Sequence, residues 1–168
     1  MGTKKNKKNP YQIPNPEEQN IFKKYSFGDK NEPLDFYSHK PIFAFDYLSL
    51  EKSNLCFNNS SLSTDDFIGL FDFLKQVSSI SYQELINGKN VYKFHEVDPD
   101  DKNVSISKND FIKKLNNGRM GSSIEELPTI YQLKVYCLEQ SARIAGFIYK
   151  RVFHLVWFDI DHRIYSKK

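Results

Sequence analysis

The side chains best suited to chemistry lie close together: Asp159, Asp161, His162, Arg163 and Tyr165, with Arg143 one predicted strand earlier. Cleaving an RNA linkage without a metal needs three things: a base for the 2′-hydroxyl proton, an acid for the 5′-oxygen, and positive charge on the phosphorane. His162 ionises near neutrality and suits either proton transfer. Tyr165 can donate a proton or stack on a base. Arg143 and Arg163 carry planar forks that grip phosphate in two contacts. Arg151, Lys150 and Lys167 add cations that can track an RNA backbone. The same stretch has two other readings. Asp159-x-Asp161-His162 offers two carboxylates and an imidazole to Mg²⁺ or Mn²⁺. If the strand continues, however, alternation turns His162 away from both acids, and Asp-x-Asp is also ordinary turn chemistry. In the purely structural reading, Arg143 pairs with Asp159 or Asp161 and His162 sits at a frayed strand end. We expect no metal and no cofactor.

Other reactive side chains fit structural roles better. His154 alternates inside an apolar run and reads as a satisfied core or face histidine. His39 lies in an irregular lead-in, and His95 neighbours Glu96 and Asp98 without a second histidine beside it. Trp157 and Phe147 read as core rings. Cys56 and Cys137 sit in apolar contexts without a CxxC partner, as expected of buried thiols in a reduced cytoplasm. No Walker loop, GxGxxG, GxSxG or HExxH pattern occurs.

The elements that must position these groups are legible in the C-terminal third. Tyr131, Leu133, Val135 and Cys137 alternate with Gln132, Lys134 and Tyr136, the pattern of a half-buried strand. Arg143 to Tyr149 and Val152 to Asp159 are two more strands, separated by the turn Lys150-Arg151. Short turns between three strands predict an antiparallel meander. In that meander Arg143, early on its strand, lies opposite the late part of the next, near Asp159 to His162.

Upstream, Ile42 to Leu48 reads as a buried strand. Ser63-Thr64-Asp65-Asp66 opens a helix whose stripe is Phe67, Leu70, Phe71, Leu74 and Val77. Ser81-Tyr82-Gln83-Glu84 is a capping box for a short helix that stops at Gly88. Val91 to Val97 reads as a strand, and Ser107 to Asp110 caps a third helix. The expected fold is therefore α+β: an antiparallel sheet, made of the meander and an N-terminal strand, with two or three helices on one face. Residues 1–40 read as an irregular basic extension, broken by Pro10, Pro14, Pro16 and Pro33, and residues 41–168 as one domain.

Composition sets the outer limits. Hydrophobic residues make up 39% and charged residues 27%, enough for a packed core and against wholesale disorder. No apolar run is long enough to cross a membrane, and the lysine-rich start has no apolar stretch behind it. The net charge of +3 is mild, but three of the four arginines fall in the last 26 residues.

The element order β-α-α-β-β-β resembles that of RelE-type toxins, the small ribonucleases of bacterial toxin–antitoxin pairs. Ala142-Arg143-Ile144-Ala145-Gly146-Phe147-Ile148 is similar to the R-I-x-x-F strand of that superfamily. Phe153 to Asp159, followed by His162-Arg163-Ile164-Tyr165, is similar to its last strand and catalytic end. The likeness covers roughly residues 41–88 and 127–165; residues 1–40 and 89–126 are additional. It implies a RelE-like fold and a cytoplasmic, metal-independent endoribonuclease. It also implies mRNA as substrate, with the ribosome as a candidate site of action, and an antitoxin protein as partner. The alternative is a non-catalytic protein- or RNA-binding module of a mobile element or defence system, which the excess of Phe and Tyr would suit.

Overall fold

The computed structural model describes residues 36–51, 53, 55–116, 127–135, 138 and 142–165. Among them a 3-10 turn, Phe36–Ser38, precedes β1 (Ile42–Ala44). Then come α1 (Thr64–Val77), α2 (Tyr82–Asn87), α3 (Lys89–Tyr92), β2 (His95–Val97) and α4 (Lys108–Leu115). The meander β3 (Ile130–Lys134), β4 (Arg143–Tyr149) and β5 (Val152–Asp159) closes the order. The fold is α+β, as expected. Among the described residues no helix is long and apolar enough to cross a membrane.

The helices begin where short polar side chains can satisfy orphan amides. Ser63, Ser81 and Ser107 each accept from the backbone N–H three residues on. Asp66, Glu84 and Asp110 reach back to the cap, completing three capping boxes. Each such cap stabilises its helix by about 1 kcal/mol. Residues 91–92 are helical rather than extended. Their N–H groups bond to the Gly88 carbonyl, and Lys93 then takes a left-handed backbone (φ 49°) that breaks the turn before β2 starts.

The sheet order is β1-β5-β4-β3-β2. The meander pairs antiparallel as the short connections require, and β2 adds antiparallel to β3. The sheet is nevertheless mixed, because β1 joins β5 in parallel, with Ile42, Phe43 and Ala44 beside Val152, Phe153 and His154. The intervening chain crosses the sheet before β5 returns in the same direction, so the expected all-antiparallel sheet is corrected at this edge.

Register divides the side chains between two cores. On one face Leu133, Ile144, Phe153, Leu155 and Phe158 pack with Leu70, Phe73, Leu74 and Val77 of α1 and with Tyr82 and Leu85 of α2. On the other, Ile130, Ala145, Phe147 and Trp157 pack with Val97 and with Phe111 and Leu115 of α4. Helices thus cover both faces, α1 and α2 on one and α4 on the other, which corrects the expectation of helices on one face only: both faces of β3–β5 carry apolar side chains that must be covered. A register shift at Ala145/Gly146 lets β5 carry an extra residue. Gly146 is required there, because a Cβ would stand 2.0 Å from the His154 carbonyl oxygen.

Candidate active site at the end of the meander

Arg143 and Asp159 are direct cross-strand partners at one end of the β4–β5 pair. Both side chains belong to the α4 face, two residues from Ala145 and Trp157 respectively. Asp159 is fully buried and Arg143 is 8% exposed. The two Asp159 carboxylate oxygens accept the backbone N–H of Arg163 (2.6 Å) and of Ile164 (2.7 Å). That double clamp folds residues 160–165 back over the sheet end. His162 sits inside the turn with φ 59°, a left-handed backbone that histidine adopts more readily than most residues. The tail is held from outside as well. The Ile164 carbonyl accepts from Ser105 N–H (2.7 Å), the Arg163 carbonyl accepts from the Ser105 hydroxyl (2.7 Å), and Val104 bridges Tyr165. His162 is therefore built into a tight turn and is not on a frayed end.

The turn gathers rings. His162 and Tyr165 stack at 6.0 Å between centroids, and the His95 ring of β2 lies 5.9 Å from the same Tyr165 ring. Gln132 of β3 is cross-strand from His95 on one side and Ala145 on the other, so it shares the α4 face. It is fully buried, and neither Oε1 nor Nε2 has a hydrogen-bond partner.

The ionisation of the site follows from burial. Burial raises the Asp159 carboxyl above its usual range; the Ile164 and Arg163 N–H groups and His162 pull it back, and Asp161 pushes it further up. Burial lowers the Arg143 guanidinium, an effect that Asp159 opposes. Arginine's starting value is high enough to leave it charged. Burial, followed by Asp101 and Asp98, raises the Tyr165 phenol. Tyr165 therefore stays protonated at neutral pH, a donor and not a base.

The other candidate residues separate into groups. Arg163 is half-exposed, and its Nε donates to Asp161 (2.9 Å), so it stands at the rim. Lys150 and Arg151 form the β4–β5 hairpin at the opposite end of the same strands. Six residue steps of strand put them about 20 Å from Arg143. Lys150 lies over the Tyr149 ring. Neither cation converges on His162. Lys167 and Cys137 lie outside the described residues. The Asp159–Asp161–His162 triplet does not gather as a metal cradle, because Asp159 turns inward onto amides and Asp161 outward onto Arg163. The sequence reading missed His95 and Gln132. His95 arrives from a strand 67 positions before His162, and Gln132 was assigned to the polar side of a half-buried strand.

Two features limit what binds here. Arg143 is buried beside Asp159 and donates from Nη1 to the Ala142 carbonyl (3.0 Å), so it offers little surface to a ligand. Asp98 and Asp101 reach Tyr165 electrostatically, so charge around the site is mixed, not uniformly basic. Searches of family models, curated proteins and solved structures give no significant match for this chain.

Proposed function

We propose that the chain cleaves RNA by metal-independent acid–base chemistry at the turn of residues 159–165, in the manner of the RelE-type toxins its C-terminal strands resemble. The observation that supports this reading is the clamp on Asp159. It draws a half-exposed imidazole, a protonated phenol and a buried guanidinium to one end of one sheet face. His162 takes the 2′-hydroxyl proton. Tyr165 stacks on a base or donates to a phosphate oxygen. Arg143 holds the turn through Asp159, and Arg163 meets phosphate from the rim. Mixed charge implies few phosphate contacts and a shallow dependence of RNA affinity on salt. In this reading the chain works in the cytoplasm on mRNA, free or on the ribosome, and an antitoxin covers the site.

The test is cleavage of a fluorescent RNA oligonucleotide with chelator present, alongside growth on induced expression. The parent should cleave and arrest growth, and His162→Ala should lose about 10²–10⁴-fold in rate, as expected for a lost proton-transfer group. Equal activity of parent and variant, or no cleavage by either, sinks the proposal.

A second reading, a non-catalytic binding module, draws on Ile68 and Phe71. These two lie one turn apart on α1 and are 61% and 58% exposed, away from that helix's buried stripe. RNA or protein binding without any RNA product would favour it.

A further inference from the structure

We infer that His95 is the second proton-transfer residue of this site, the general acid that protonates the departing 5′-oxygen while His162 serves as base. The inference rests on the RNA-cleaving reading above and supplies the group that reading lacks.

The placement is specific. Tyr165 is the ring both imidazoles meet, its centroid 5.9 Å from that of His95 and 6.0 Å from that of His162. A phosphodiester laid against that phenol comes near both imidazoles, so one can serve as base and the other as acid. His95 is exposed on β2, the outer strand at that edge of the sheet, so a ligand can reach it. Its Nδ1 stands 2.5 Å from the Lys93 carbonyl oxygen. A carbonyl only accepts, so Nδ1 carries a proton and donates it. That contact fixes the ring's orientation and leaves Nε2 as the atom that gives or takes a proton.

Backbone strain marks the same two places. Four non-glycine residues have positive φ among the described residues. Lys150 and Arg151 are explained by their hairpin. The other two are Lys93, whose carbonyl orients His95, and His162 itself. Left-handed backbone at a non-glycine residue is strained, and such strain concentrates at functional sites. Beside His95, the buried amide of Gln132 has no hydrogen-bond partner at either polar atom.

The step balances without a co-reactant. The 2′-oxygen forms a bond to phosphorus, and its proton passes to His162. The bond from phosphorus to the 5′-oxygen breaks, and the Nε2 proton of His95 passes to that oxygen. The products are a 2′,3′-cyclic phosphate and a 5′-hydroxyl. His95 keeps its Nδ1 proton on the Lys93 carbonyl throughout.

A leaving group that needs no acid separates this role from a structural one. The assay compares an RNA oligonucleotide with one whose scissile 5′-oxygen is replaced by bridging sulfur. The parent should cleave both. His95→Ala and His95→Gln should lose about 10²-fold or more on the oxygen substrate. Both should return to within about tenfold of the parent on the sulfur substrate, whereas His162→Ala stays slow on both. If the parent cleaves and the His95 variants either match it on oxygen or are equally slow on both substrates, His95 is not the acid, and the RNA-cleaving reading survives. If the parent cleaves neither, both proposals fall together.

Discussion

Asp159→Asn changes one atom of the clamp that builds the site. Two buried carboxylate oxygens each accept one backbone N–H, at 2.6 and 2.7 Å. Asparagine keeps one acceptor and turns an NH₂ toward the other N–H, where donor meets donor. Losing one charge-assisted bond costs about 1.5–3 kcal/mol, and removing a buried charge returns part of that. The net expected loss is about 2 kcal/mol, which for a chain of this size lowers Tm by about 4–8 °C. The pH dependence fixes the sign. Burial raises the folded carboxyl above its ordinary 3.8, so the folded chain holds this proton more tightly than the unfolded chain. The stability this contributes is complete below the ordinary value and is lost as pH climbs through the raised one. Asparagine has no such titration. Thermal melts of parent and variant from pH 3.5 to 7.5 should show a gap that is widest at the acid end and narrows upward. A gap that widens with pH, or equal melting temperatures throughout, would refute the account of the clamp.

Two further substitutions test the scaffold. Gln132→Met replaces a buried amide without partners by an apolar side chain of similar length, and should stabilise by about 1–3 kcal/mol, since each unmet polar group costs about that much. Denaturant unfolding that shows a loss instead would mean the amide is bonded in solution. Lys150→Asn with Arg151→Gly puts the residues that a type I′ turn favours at two left-handed positions (φ 48° and 68°). That double variant should gain about 1–2 kcal/mol in the same assay and leave RNA cleavage unchanged, because the hairpin tip lies at the far end from His162. A drop in cleavage would return Lys150 and Arg151 to the binding surface.

Local signals carried most of the elements. The serine–carboxylate boxes and most of the stripe of α1 lie within a few residues of one another, although Phe71, expected on that stripe, is exposed and Phe73 is buried in its place; β4 and β5 follow from apolar runs around a two-residue turn. The convergence of Arg143 with the Asp159 region was legible because antiparallel register is arithmetic. What escaped needs distant partners. Nothing in Ile42–Ala44 encodes that it pairs parallel to a strand over a hundred residues later. Gln132 looks solvent-facing in an alternating strand until α4 covers that face and buries it. His95 looks solitary because Tyr165, the ring it shares with His162, comes from a turn whose shape depends on a buried carboxylate.

The strand that joins β1 to the meander, β5, follows every other strand in the chain. During synthesis β1 emerges early and has no neighbour to pair with until β5 is made, while β2, β3 and β4 can assemble in order. Asp159 and the turn it ties come later still. The arrangement of Asp159, His162 and Tyr165 therefore exists only once β5 and the turn after it have been made.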